Sequence, residues 1–190
     1  MIRGEKVVLR PKQVKDAVTD YSWRIDAELA RLDAAVPLTL PFRDFLFFYE
    51  EELAFEEPRR CRWAIETFDG RHIGNCMCYD IDYYHGQAEV GIMIGDRRFW
   101  SQGYGTDAIN SMVDHLFNTT ALQRLYLHTL DWNVRAQKCF QKTGFMPQGK
   151  VLRGGQTFVL MAMERSQWEA RHRNGVDSTP EAIPTRGNGM

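Results

Sequence analysis

Ala108, Ile109, Met112, Val113, Leu116 and Phe117 recur at the spacing that lines one face of a helix, so this stretch is read as a strongly amphipathic α-helix. The period shortens upstream. Trp63, Ile65 and Thr67 alternate with polar neighbours, Asp69-Gly70 supplies a hairpin turn, and a second strand is expected over Ile73 to Tyr84. After a turn at His85-Gly86, Glu89 to Ile94 makes a further strand, and the middle of the chain reads as an antiparallel meander. Ahead of it, Lys6 to Arg10 is a β-branched run stopped by Pro11, and helical spacing follows from Asp16 to about Leu32 and from Phe42 to Phe55. Downstream, Leu125, Leu127 and Thr129 alternate with Tyr126 and His128 in a strand. Asn133 then opens a short helix closed by Gly144, and a last strand or hairpin runs from about Phe145 to Met163, broken by Gly154-Gly155. Apolar residues nearly vanish beyond Glu169, which predicts one domain over 1–169 and a mobile tail over 170–190.

Composition narrows the function classes. The chain has 190 residues and a formal net charge of -1 from 24 basic and 25 acidic groups, so no whole-chain field favours nucleic acid or an anionic membrane. The N-terminus carries no signal-peptide pattern and no run is long and apolar enough to span a bilayer, which predicts a cytoplasmic protein with reduced thiols. Cys61, Cys76, Cys78 and Cys139 include no C-x-x-C and no histidine at zinc-ligand spacing, so no metal is expected.

The chemistry concentrates between Ile92 and Thr106, where a strand passes through a turn into the amphipathic helix by way of Gly103-Tyr104-Gly105. A helix N-terminus presents unpaired N–H groups and a partial positive charge, and glycines let a pyrophosphate approach the backbone. An isolated G-x-G also suits a plain tight turn. No lysine follows for a P-loop, and the preceding meander argues against a dinucleotide-binding βαβ unit.

Phe99-Trp-Ser-Gln-Gly-Tyr-Gly-Thr-Asp-Ala108, then Asn133-Val-Arg-Ala136, then Lys142-Thr-Gly-Phe145, with Leu9-Arg10-Pro11 near the start, resembles the GNAT acetyltransferase superfamily. Within it the likeness is to the branch acetylating ribosomal-protein N-termini and to similar spermidine and aminoglycoside acetyltransferases. The resemblance implies an α+β fold (α/β in some schemes) whose mixed, mostly antiparallel sheet is splayed around acyl-coenzyme A and flanked by helices. It implies acetyl-coenzyme A as co-substrate and an amine acceptor, with homodimerisation as in similar proteins. Pantetheine would pair with backbone near Met93 and Ile94, and the amides of Gln102, Gly103, Tyr104, Gly105 and Thr106 would hold the pyrophosphate. Asn133 would add a cofactor contact to its capping role, and Arg97, Arg98, Arg135 or Lys138 would meet the 3′-phosphate. Trp100 stands where the superfamily commonly has Gln or Arg, so phosphate binding leans on the backbone.

Acetyl transfer to an amine needs a neutral nucleophile, a polarised carbonyl and an exit for the thiolate. The likeness places Glu89 at a strand position facing the acceptor in some relatives, which makes it the candidate base; an exposed strand carboxylate is the competing reading. Asp80, Asp82 and Tyr83 are candidates for the acceptor side, against a solvated face and simple packing. Phe140 occupies the position where relatives usually carry a tyrosine that protonates the leaving thiolate, a departure that favours a weakened enzyme or an acyl-coenzyme A sensor as the alternative. An adaptor that pairs through its meander edge is a further alternative. Cys139, His115 and His128 are read as packed or exposed rather than catalytic.

Overall fold

The computed structural model describes residues 1–55 and 57–176. Eight strands form one sheet: β1 (Ile2–Arg3), β2 (Val7–Pro11), β3 (Cys61–Thr67), β4 (His72–Asp82), β5 (Gln87–Ile94), β6 (Arg124–Leu130), β7 (Met146–Arg153) and β8 (Gln156–Glu164). Their order is β1-β2-β3-β4-β5-β6-β8-β7, and every pairing is antiparallel except β5 with β6. This is the α+β, mostly antiparallel architecture expected.

Helices α1 (Ala17–Arg24), α2 (Ala27–Leu32), α3 (Phe42–Ala54), α4 (Tyr104–Thr119), α5 (Val134–Thr143) and α6 (Arg165–Val176) flank the sheet. The single helix expected from Asp16 to Leu32 is two. A 3-10 turn over Val14–Asp16 leads into α1, and Asp26 leaves the helical region to cap α2, accepting hydrogen bonds from the Glu28 and Leu29 N–H groups. Helix α4 buries Ala108, Ile109, Met112, Val113, Leu116 and Phe117 against Val7, Leu9, Ile65, Ile73, Cys76, Cys78, Ala88 and Val90 of the sheet. Alternation along β5 therefore sends Ala88 and Val90 to α4 and leaves Glu89 on the opposite face.

Helices α1 to α3 dock on that opposite face through buried charge. Arg10 forks onto Asp16 at 2.7 and 2.8 Å and reaches Glu66 at 2.6 Å, fixing the entry to α1. Asp20 of α1 takes hydrogen bonds from Lys12, Asn75 and Tyr49. Trp23 lies flat on Gly95, where any Cβ would collide with the indole, so glycine is what lets α1 seat on the end of β5.

The chain does not become a tail at residue 170. Helix α6 continues to Val176, and Arg171 donates to the carbonyls of Lys142 and Thr143 at the end of α5. Arg165 donates to the carbonyls of Phe117, Thr120 and Leu122, each at 2.7 Å, closing the end of α4. Both contacts supply a cation to a helix C-terminus. The tail expected over residues 177–190 lies outside the described residues. No helix among the described residues is long and apolar enough to cross a membrane.

Candidate active site

Strands β5 and β6 run parallel for a short distance only: Gln87, Ala88 and Glu89 register with Arg124, Leu125 and Tyr126, and the ladder stops there. Beyond Glu89 the strands part. The gap opens a cavity of about 560 Å³ lined by Val90 to Ile94 from one strand, His128 to Leu130 from the other, the loop before α4, and the start of α5.

The loop is held from both sides. Gly103 adopts a left-handed conformation (φ 88°) as the N-cap of α4, and no side chain caps the helix. The first bond of the helix runs from the Asp107 N–H to the Gly103 carbonyl at 2.9 Å, so the N–H groups of Tyr104, Gly105 and Thr106 precede the ladder and have no backbone partner in it. With the helix dipole behind them they make a fitting anion cradle. Asp107 uses its carboxylate elsewhere, accepting from the N–H groups of Glu5, Lys6 and Val7 at 2.8 to 3.0 Å and so tying β2 to the first turn of α4. Lys6 returns to the loop, its Nζ donating to the Gln102 carbonyl at 3.0 Å. Nothing in the sequence pattern singled out Lys6 as a cation at this loop.

Trp100 explains the departure from a polar residue. Its Nε1 donates to the Ile94 carbonyl at 2.6 Å, pinning the loop to the end of β5, and its ring lies 3.5 Å beneath the Arg135 guanidinium. The Ile94 carbonyl thus meets any ligand with one lone pair already engaged. Of the four candidate phosphate cations, Arg97 is bound by Asp26 and Glu28 and Arg98 by Asp96, both outside the cavity. Arg135 and Lys138 line it, together with Lys142. The Arg98 guanidinium is forked onto Asp96 and lies outside the cavity, away from the phosphate contact expected of it.

Met93, Ile94, Gly103, Gly105, Thr106 and Asn133 all line the cavity; Gln102 and Tyr104 contribute backbone beside it, their side chains turned to the Arg98 carbonyl and to the Phe99 ring. Asn133 caps α5 through the Ala136 N–H at 3.2 Å. The acceptor-side candidates are elsewhere. A bulge between Tyr79 and Asp82 breaks the alternation that put both aspartates on one face, and Asp80 sits in it at a left-handed φ of 49°. Asp82 caps its own turn, accepting from the N–H groups of Tyr84 and His85, and Tyr83 is 65% exposed beside Pro58. None of the three lines the cavity.

Glu89 does. It is only 8% exposed, which rules out the solvated-strand reading, and its Oε1 accepts from His128 Nδ1 at 2.8 Å across the point where the strands part. Tyr79, paired with Glu89 in the β4–β5 register, stands on its other side. Burial, with the Glu89 charge adding to it, pushes the Tyr79 phenol well above its ordinary value. Phe140 is buried on the cavity wall, and burial likewise raises the neighbouring Cys139 thiol, opposed only in part by a hydrogen bond with Thr106. Burial therefore disfavours the thiolate that a nucleophilic cysteine needs.

A model of the acetyltransferase (GNAT) domain matches residues 6–146. The uncharacterized N-acetyltransferase p20 of Bacillus licheniformis is 24% identical over 147 residues, covering 76% of this chain and 82% of its own length. The fold is shared with spermidine N-acetyltransferase from Vibrio cholerae in complex with CoA and spermine (TM-score 0.76, 21% identity, 86% of this chain and 98% of that one). It is shared also with aminoglycoside acetyltransferase AAC(6')-Ib in complex with coenzyme A (TM-score 0.72, 22% identity, 87% and 99%).

Proposed function

The chain belongs to the GNAT acetyltransferase family, and on that premise we propose that it moves the acetyl group of acetyl-coenzyme A to a primary amine by direct transfer in a ternary complex. One observation carries this reading: the sheet parts just beyond Glu89, and the opening leads to a helix N-terminus whose N–H groups are free to bind an anion. The diphosphate would take those N–H groups. Arg135, stacked on Trp100, and Lys138 would meet the remaining phosphate charge. The edges of β5 and β6 would pair with the amide arm, bringing the thioester toward Glu89.

Glu89 supplies negative charge at the place where an ammonium must become an amine. Spermine stands in the name of one related structure and an aminoglycoside in that of another, both amines carrying several charges, and Asp33 adds a second carboxylate to the wall of the same cavity. A polyamine, a small-molecule amine or a peptide N-terminus fits this description. Self-association belongs to the same reading, supported by the exposed pair Phe47 and Phe48 on α3.

The test is a pair of measurements on the whole chain. Acetyl-coenzyme A is expected to raise the unfolding temperature, and thiol release is expected with at least one of spermine, kanamycin or a peptide with a free N-terminus. A folded sample that gains no stability from acetyl-coenzyme A would refute the assignment. Phe140 favours one second reading, an acyl-coenzyme A sensor, and stabilisation without thiol release across the amine panel would select it.

A further inference from the structure

A transferase of this kind must move one proton as the acetyl group moves. The amine nitrogen forms a bond to the carbonyl carbon, the carbon–sulfur bond breaks, and the proton lost by nitrogen must reach the departing sulfur. Phe140 cannot donate it. The described residues offer another group on the same cavity wall, His128.

His128 projects from β6 on the face opposite Leu127 and Thr129, so it shares a side of the sheet with Glu89, Tyr79 and Tyr126. With Glu89 ionised and the imidazole neutral, the 2.8 Å contact between Nδ1 and Glu89 puts the ring proton on Nδ1 and leaves a lone pair on Nε2. Nε2 has no hydrogen-bond partner among the described residues, yet it is absent from their buried unpaired atoms, which are Arg60 Nε and His72 Nδ1. It is therefore not sealed off, on a residue that lines the cavity. Glu89 Oε1 is engaged by the imidazole, and the titratable groups on this side of the sheet are Tyr79 from β4 with Asp80 in the bulge beside it, Glu89 from β5, Tyr126 from the ring's own strand and, farther along the same cavity, Arg153 from β7.

We propose that His128 is the catalytic proton carrier of this enzyme: Nε2 takes the proton from the attacking amine and delivers it to the leaving thiolate, while Glu89 is the positioning residue that fixes the imidazole and balances its charge. The proposal rests on the transferase reading above and assigns the role that Phe140 vacates. An ammonium acceptor first gives one proton to solvent; the neutral amine then loses one proton as it attacks, sulfur gains that proton, and the imidazole returns to its starting form. A buried carboxylate behind the ring favours the imidazolium formed in between, as it does in other carboxylate–histidine pairs.

The test uses the full chain with acetyl-coenzyme A and whichever of spermine, kanamycin or the peptide amine is acetylated fastest. His128→Asn keeps a donor toward Glu89 but cannot carry a proton, and it is expected to lower kcat about 100-fold with KM for acetyl-coenzyme A within about twofold. Adding Phe140→Tyr to that variant is expected to recover about tenfold by restoring a donor to sulfur. Glu89→Gln is expected to lower kcat with KM for acetyl-coenzyme A within about twofold, and Glu89→Asp, which keeps a carboxylate to accept from Nδ1, to recover part of that loss. A His128→Asn enzyme within about threefold of the wild-type rate overturns the proposal. So does a Glu89→Gln enzyme with an unchanged kcat, a readout that needs no folded His128 variant, and a double variant no faster than His128→Asn overturns delivery to sulfur. If the wild type binds acetyl-coenzyme A but acetylates none of the amines, the transferase reading fails first and takes this one with it.

Discussion

At the scale of single residues, Gly105 separates the two demands on the loop. A Cβ built there meets Ile94 Cγ1 at 3.6 Å and Cys139 Sγ at 3.7 Å, ordinary contacts, so the position has room for a methyl group. Gly105→Ala is expected to fold as well as the wild type or better, alanine being favoured over glycine within a helix by up to about 1 kcal/mol. Gly105→Asp adds a negative charge where the diphosphate is expected, and should weaken acetyl-coenzyme A by at least about tenfold, as read by calorimetry. Equal affinities for the Ala and Asp variants would show that the diphosphate is bound elsewhere. The loop itself was legible in the sequence because its signal is local: glycines, a strand before and an amphipathic helix after. The Glu89–His128 pair was half legible. Glu89 was singled out by resemblance, but its partner lies across a parallel pairing that no local pattern encodes, and a histidine on the outward alternation of β6 looks the same in sequence whether it faces water or a carboxylate.

At the scale of elements, helices α1 to α3 are held by charges that lie far apart in the sequence, from Arg10 to His72, and that the fold gathers into one cluster. Burial alone would raise the Asp16 carboxyl, but the Arg10 fork, the Gln13 N–H and the charges of His72 and Arg10 outweigh it and hold the group below its ordinary value. His72 goes the other way for a base. Burial, reinforced by Lys12, lowers its affinity for a proton against the pull of Asp20 and Asp16, and Nδ1 is buried without a partner. Below about pH 6.5 the unfolded chain therefore takes up a proton at His72 that the folded chain resists, so stability is intact above that pH and falls as the pH drops below it. Asp16 adds a second loss in the same direction, confined to pH values below about 3.9, where only the unfolded carboxyl is protonated at first. The unfolding midpoint is expected to fall between pH 7 and 5.5, and His72→Gln should flatten that slope; an unchanged slope would remove His72 from the account. Asp107 makes a second elemental joint. It serves three backbone N–H groups of the β1–β2 segment from the first turn of α4, and Asp107→Ala is expected to cost about 2–3 kcal/mol in denaturant unfolding, against less for Asp107→Asn. Helix boundaries and strand alternation could be read from period alone. The break at Asp26 and the continuation of α6 past residue 170 could not, because one depends on a cap and the other on guanidinium contacts with the ends of α4 and α5.

At the scale of the whole molecule, the sheet is two halves, β1 to β5 and β6 with β8 and β7, joined across the split by the Gln87–Glu89 pairing and beneath it by α4 against α5. Strand edges past Glu89 and Tyr126 have no strand to pair with across the gap, so their amides are candidates for fast exchange with solvent in the free protein. A ligand that pairs with both edges while its diphosphate binds at α4 would close the sheet and couple the two halves. On the proposed binding, acetyl-coenzyme A at about 100 times its Kd would add about 2.7 kcal/mol of stability, which for a chain of this size corresponds to roughly 5–10 °C in Tm. Amide exchange should slow most at residues 90–94, 103–106 and 127–130, beyond the uniform slowing that added global stability produces on its own. Protection restricted to one edge would mean that the arm binds a single strand and leaves the halves uncoupled. Protection at both edges and the loop together, lost at the loop alone in Gly105→Asp with an excess of ligand, would show that the split in the sheet is the path along which the thioester reaches Glu89 and His128.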